Sequence, residues 1–392
     1  MNNPLTVLFH NRQFQAIAGI QVFNVFSAQL LAPILPLYLT SQGLSASQIG
    51  LIMGITALGA LVMRPSAGRA VDRRGSRPVI LFGQSLLAIC LSAYFLFTGF
   101  FPLLLIRFLH GAAQSFYSTA CVTFASSVES PQNTAAAISL FTVFTMVGLG
   151  AATSIAPFLY HSFDFFPLVG ISLLTLGASI SFTLWRARPI SPIHDADRLA
   201  FSSVLHLPAV LAPTVCLFAS NVIFSTLFTF IPLYALSESV PGYSSFYIAF
   251  AVAVIFTRLS VQSLTQAFPA EKVAAAASLA NVASALIIVF FPSTLSFALS
   301  GILIGLGFGV IFPALTVYVI QRIPPASKGT GLSILTAAGD VGNALGAAVL
   351  GVVAEVLGFR WVFVSASLVV LFCVRYFYVT LVSKPARAAS RT

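Results

Sequence analysis

The chain has 392 residues, 58% of them hydrophobic and 7% charged, with nine acids against nineteen lysines and arginines. A mean hydropathy of +0.99 leaves too little polar surface to cover a globular fold in water, so the chain belongs in lipid and a soluble enzyme is excluded. The formal charge of +10 reports topology and contact with anionic lipid, not nucleic-acid binding.

Apolar runs recur at roughly 14–40, 47–68, 78–99, 101–127, 133–160, 165–185, 207–236, 244–267, 272–292, 295–320, 330–356 and 359–382. Most reach the ~20 residues a helix needs to cross hydrocarbon, which predicts twelve spans. They are continuously apolar, whereas a barrel strand alternates over about 10 residues, so the fold is all-α. Arg12, Arg69, Arg73, Arg74, Arg77, Arg186, Arg188, Arg198, Lys272, Arg322, Lys328, Lys384, Arg387 and Arg391 fall at the termini or in even-numbered loops. The odd loops hold only Arg360, which predicts cytoplasmic termini. Cys90, Cys121, Cys216 and Cys373 lie within spans at no metal-ligand spacing, so they read as small packing residues with no disulfide framework.

The first run is too long for a signal-peptide core and has no small-residue cleavage site after it, so it is expected to remain as a span. It carries Gln21, Asn24 and Gln29. After the second run comes Gly68-Arg69-Ala70-Val71-Asp72-Arg73-Arg74-Gly75-Ser76-Arg77. Asp72 can pair with Arg73 or Arg77 and face a helix N-terminus, while Gly68 and Gly75 permit close approach and a tight turn. Taken alone, this is a solvated topogenic charge cluster or a gate.

Gly68, Asp72, Arg73, Gly75 and Arg77 resemble, position by position, the signature loop of the major facilitator superfamily, a family of membrane transporters. Length, span count and halving extend the resemblance over the whole chain. It implies a cytoplasmic loop that latches the outward-facing state against the start of the eleventh span, near Lys328-Gly329, with Glu129 as an acidic partner. The second-half copy carries Gln262 and Gln266 where Gly68 and Asp72 would fall, so the latch is one-sided.

The fourth run contains Arg107, His110, Gly111, Gln114 and Tyr117. An arginine inside a span costs at least about 2.5 kcal/mol on insertion scales, so it should face protein or water with a partner. Arg107, Gly111 and Gln114 share a helix face at i, i+4 and i+7, and His110 can carry a proton near physiological pH. Arg107 and Gly111 resemble the family's second signature, whose arginine is linked to proton coupling; hydrogen bonding to backbone for Arg107 and plain packing for His110 are the alternatives. Gly148, Gly150 and Ala156-Pro157 in the fifth run form a thinned version of the family's antiporter signature. That implies export, unless these small residues simply pack helices and Pro157 kinks one.

The polar stretch Pro189–Arg198 lies between two copies of one pattern. At a shift of 194 residues Arg64 falls on Arg258, Gly111 on Gly305, Ile138-Ser139 on Leu332-Ser333 and Gly148 on Gly342. An even shift of six spans keeps the copies parallel, which predicts bundles at 1–187 and 207–392 joined by a linker at 188–206. Two such halves can rock about a shared midplane cavity, and the resemblance lines it with spans one, four, seven and ten. The seventh run supplies Asn221, Ser225 and Phe228, again at i, i+4 and i+7, and the tenth Phe308 and Phe312. Asp340 in the eleventh run is the only carboxylate well inside a predicted span. It can take up and release a proton as access alternates, or bond to Asn343 or nearby backbone as a packing residue. Its repeat mate is Met146, so scaffold symmetry does not demand an acid there.

These readings converge on a secondary transporter, resembling the drug:proton antiporter branch, that exports a small amphipathic molecule. The substrate class is a drug-like compound, a metabolite or a metal-chelating small molecule, with the proton as second ligand. No phosphate-binding glycine loop is present and no cofactor is expected. The family's architecture works as a monomer in the plasma or inner membrane. Rival expectations are a symporter or uniporter importing a metabolite, a transporter-like sensor, and a channel.

Overall fold

The computed structural model describes residues 8, 10–128, 134–187, 206–323 and 328–382. Its long helices are α1 Arg12–Gln29, α2 Ala46–Arg74, α3 Ser76–Ala93, α4 Phe100–Ser127, α5 Thr134–Phe163, α6 Phe165–Arg186, α7 Pro208–Ser237, α8 Ser244–Ala267, α9 Ala270–Phe290, α10 Thr294–Arg322, α11 Lys328–Leu357 and α12 Phe359–Phe377. No strand occurs among the described residues. Ten of these helices, among the described residues, are long and apolar enough to cross a membrane. The two that fall short are α1, which carries Arg12, Gln13, Gln15, Gln21 and Asn24, and α4, which carries Arg107, His110 and Gln114. Polar side chains are thus concentrated on the first and fourth helices, where lipid alone would not tolerate them.

The first run is not one helix as expected. After Gln29 the bonds Ala32 N to Gln29 O at 3.0 Å and Ile34 N to Leu31 O at 3.1 Å tighten the backbone into a turn, and the chain resumes as a short helix, Leu35–Ser41. Pro33 sits in this turn with no N–H to give and a ring that crowds the preceding carbonyls.

The chain divides into two compact units, Met1–Asp195 and Ala196–Thr392. The expected linker at 188–206 lies outside the described residues except for His206. Within the first unit α2 packs on α4, α3 on α4, and α1 against α5 and α6; within the second, α8 packs on α10, α9 on α10, and α7 against α11 and α12. Each pair recurs six helices later, as the 194-residue shift requires.

Glycine makes the tightest pairs possible. A Cβ on Gly111 would collide with the carbonyl oxygen of Thr56 on α2, and one on Gly305 would lie 2.9 Å from the carbonyl oxygen of Phe250 on α8. Thr56 and Phe250 are themselves related by the same shift. Gly59 against Phe108 and Gly301 against Phe246 extend the two seams. The turns repeat too: Asp164, at φ 64°, caps α6, and Gly358, at φ 91°, caps α12. Asp164 meets the strain of a left-handed residue by accepting a 2.7 Å bond from Phe165 N.

The single base in an odd-numbered loop has a local explanation. Arg360 at the start of α12 reaches back to Glu238 at the end of α7, with Nε to Oε1 at 3.2 Å and Nη2 to Oε2 at 2.9 Å. This bidentate pair neutralises the charge that the orientation rule would otherwise count against.

Alanine in place of glycine raises helix propensity by about 1 kcal/mol, so any loss must come from the neighbour it strikes. Gly111→Ala and Gly305→Ala are expected to lower the thermal midpoint of the purified protein, overpacking costing about 1–3 kcal/mol. Gly68→Ala, where a side chain meets nothing within 4 Å, is expected to unfold like wild type. Equal losses at all three would refute the backbone-contact explanation.

Candidate functional site

The first unit buries two polar groupings. Around α4, Arg107 is 7% exposed and His110 2%. Arg107 Nη2 donates to the sulfur of Met53 on α2 at 3.9 Å, and its Nε and His110 Nδ1 have no bonded partner. Cys90 of α3, Tyr94 at its C-terminal cap and His110 all lie within electrostatic reach of the guanidinium. The expected face of Arg107, Gly111 and Gln114 therefore splits by depth: Arg107 enters a closed pocket, Gly111 is taken up by α2, and Gln114 stays half-buried. Tyr117 is 1% exposed and packs over Gly83 of α3.

The second grouping joins α1, α3 and α6. Gln84 Nε2 donates toward Asn24 Oδ1 at 2.9 Å, Ser179 Oγ at 2.9 Å and Thr183 Oγ1 at 3.1 Å. The Ser179 hydroxyl has Asn24 Oδ1 at 2.9 Å and Ile20 O at 3.1 Å as acceptors. All four side chains are fully buried. Asn24, expected to face a cavity, is thus spent on helix packing. Gln21 donates to Thr145 Oγ1 of α5 at 3.0 Å, and Gln29 is half-buried at the end of α1. The sequence reading missed Gln84, Ser179 and Thr183. The signal was present as a lone amide in an apolar run and two hydroxyls four residues apart.

In the second unit, α7 and α11 meet along a seam of small residues. Gly342 and Gly346 sit against the carbonyl oxygens of Phe218 and Val222, and Gly339 lies against the Asn221 amide. Ser225 Oγ donates to Asn343 O at 2.7 Å, and Asn221 Nδ2 to Leu217 O at 2.9 Å. Asp340 projects from this same stretch of α11 and is only partly buried. The seam thereby holds Asn221 and Ser225 of α7 against Gly339 and Asn343 of α11, with Asp340 next to Gly339 in sequence.

Phe228 belongs to an aromatic cluster built from three helices. Phe224 of α7 stacks on Phe308 of α10 at 4.1 Å between centroids and lies 4.2 Å from Phe228. Phe250 of α8 meets Phe224, Phe228 and Phe308. Phe224 and Phe250 were not singled out from sequence, although Phe224 is one turn from Phe228. Phe312 instead packs against the apolar core of α7, α9 and α10.

The charged segment is helical through Arg74, so the turn proper is the single residue Gly75, at φ 78°, whose N–H bonds Val71 O at 2.8 Å. Gly75 needs to be glycine; Gly68 makes no close approach here, since a side chain would meet nothing within 4 Å. Asp72 and Arg73 are exposed, and Arg77 Nη2 donates to Leu184 O at the end of α6 at 2.6 Å. Glu129 lies outside the described residues. On α5, a Cβ on Gly148 would lie 2.8 Å from Val22 O of α1, Gly150 is buried, and the helix continues through Pro157 to Phe163.

The family model described as Major Facilitator Superfamily matches residues 17–298 and 239–392. A staphylopine export protein of Staphylococcus aureus (strain Mu50 / ATCC 700699) is 24% identical over 363 residues, covering 88% of this chain and 90% of that protein. An uncharacterized MFS-type transporter of Burkholderia mallei (strain SAVP1) is 25% identical over 377 residues, covering 93% and 91%. Among solved structures, the nucleoside transporter NupG aligns with a TM-score of 0.79 at 14% identity, over 95% of this chain and all of that one. A bacterial homologue of the human lysosomal transporter Spinster, inward-facing and unoccupied, aligns at 0.73 with 14% identity over 97% of both. At these identities the structures speak to the fold.

Gln84→Leu and Asn24→Leu are each expected to lower stability by about 1 kcal/mol, the scale of interhelical hydrogen bonds in membranes. The double variant should lose less than the sum, because the two share one network. Strict additivity of the thermal shifts would show that the amides act independently.

Proposed function

The chain belongs to the major facilitator superfamily of membrane transporters, and we propose that it is a proton-coupled exporter of a small amphipathic molecule. One observation carries the reading: Asp340 is a partly buried carboxylate on α11, next in sequence to Gly339, which packs against Asn221 of α7. A carboxyl group at such a place holds a proton when neutral and releases it when water reaches it, so its charge alternates with the side to which it is open. Likeness to a staphylopine export protein and the Gly148, Gly150 and Pro157 pattern on α5 support the outward direction. The substrate is a drug-like compound, a metabolite or a metal-chelating molecule.

In the proposed cycle access to the substrate alternates between the two sides of a plasma or inner membrane, with both termini cytoplasmic and one copy sufficient. Asp340 is protonated from outside, and return of the cavity to the inside releases the proton as substrate binds. Arg107 and His110, closed within α2, α3 and α4, couple this change to the first unit. Gln21, Gln29, Gln114, Tyr117, Phe228, Phe308 and Phe312 are the remaining lining candidates. The segment Gly68–Arg77, with Glu129, latches one state.

The test is proton movement across proteoliposomes reported by an entrapped pH dye while amphipathic fluorescent compounds are supplied from either side. Export predicts protons entering the cytoplasmic side as compound leaves it. Protons moving with the compound indicate symport, and absence of trans-stimulation indicates a channel. Asp340→Asn is expected to abolish gradient-driven transport while leaving exchange of compound intact, so undiminished driven transport would remove Asp340 as the carrier. Asp72→Asn should slow turnover severalfold with normal membrane insertion, and a wild-type rate would dismiss the latch.

A further inference from the structure

Arg258 on α8 is 8% exposed, and its Nε is sealed from solvent without a hydrogen-bond partner. Two acids of its unit are paired with other bases, Glu238 with Arg360 and Glu271 with Arg322, and no carboxylate acts on Arg258 among the described residues. Arg64, its mate at the repeat shift, is half-buried and engaged in an interaction, and Arg107 has the Met53 sulfur. Arg258 therefore stands apart from both. A guanidinium offers five donors in a fixed fork and cannot escape its charge by deprotonating. Holding one in a span without an anion is costly, and an anion that arrives from outside relieves that cost.

The surroundings say what else such an anion carries. Tyr247, Val254 and Arg258 fall at i, i+7 and i+11 on one face of α8, and at its upper end Tyr247 bonds Phe228 O of α7 at 3.1 Å. Gly309 of α10 packs against Thr257, which places the neighbours Arg258 and Phe308 at the same depth. Phe308 is half of the stacked pair with Phe224, both only partly buried. The residues that carry the cationic fork and the stacked ring thus flank one contact between α8 and α10, all within the second unit.

We propose that Arg258 binds the anionic group of the transported molecule while the partly buried Phe224 and Phe308 hold its apolar body, so that the substrate class is an amphipathic carboxylate. This rests on the transporter reading and narrows it to organic anions.

Thermal unfolding of the purified full chain, with three probes sharing one aromatic body, tests it: 1-naphthoate, neutral 1-naphthamide and cationic 1-naphthylmethylammonium. Binding to the folded state raises the midpoint by mass action. Naphthoate should stabilise the wild type more than the amide, and the ammonium should not stabilise it at all. Arg258→Gln should weaken naphthoate roughly tenfold to a hundredfold, the scale of a lost charged hydrogen bond, and leave the response to the amide unchanged. Arg258→Lys should retain part of the preference for naphthoate, and it takes the place of Arg258→Gln if that variant does not fold. A wild type that prefers the ammonium or the amide, or that responds to none of the three, overturns the assignment, as does Arg258→Gln binding naphthoate as tightly as wild type. Transport failure is read separately: Asp340→Asn should still bind naphthoate, and proton-coupled flux of other compounds would persist if only the anion assignment falls.

Discussion

Helices in hydrocarbon gain nothing by hiding leucine from lipid tails, so what holds each unit together is close contact between backbones. Gly111 beneath Thr56 and Gly305 beneath Phe250 bring α4 onto α2 and α10 onto α8 with no side chain between. The seam of α7 with α11 is set in the same way by Gly342 and Gly346. With α4 fixed on α2, α3 can lay Gly83 over Tyr117, and with α10 fixed on α8, Phe308 comes within reach of Phe224 and Phe250. The large side chains are left for the outside, where Leu174, Trp185 and Phe372 are among the most exposed residues and meet lipid instead of water.

A membrane interior offers no solvent to satisfy stray polar atoms, so the way each is treated separates structure from chemistry. Gln84, Asn24, Ser179 and Thr183 are joined through the Gln84 amide nitrogen and pin three helices, although Gln84 Oε1 is left without a partner. Arg107 is given only a soft sulfur acceptor and the company of His110 and Tyr94. Arg258 is given none. This gradient runs from scaffold to group in waiting, and it is independent of how polar the residues look in the sequence.

The two units share a packing plan but differ in what they carry. Where the first has the charged end of α2, the second has amides; where the second has Asp340, the first has Met146. Duplication explains the common seams, the recurring glycines and the matching left-handed turns at Asp164 and Gly358. The differences are where directional chemistry can enter, since two identical halves would have no preferred side.

The sequence by itself determined the spans, the halving and the repeat, because hydrocarbon thickness imposes a run length and duplication leaves glycines in register. It also marked Gly75 as a turn, but it put Gly111 and Gly305 in register without showing that they are contact points, and it expected close approach at Gly68, where a side chain would meet nothing within 4 Å. It did not reveal the break after Gln29, since a proline near the end of an apolar run can kink a helix or stop it. Only the tertiary structure decided which polar residues are consumed by neighbours and which are not. Asn24 looked like a cavity residue because helical periodicity says which residues share a face, not which helix that face meets. The partner of Asn24 is 60 residues away on α3, and Phe224 finds Phe308 on α10. Such pairings depend on helix-to-helix geometry that no local pattern encodes.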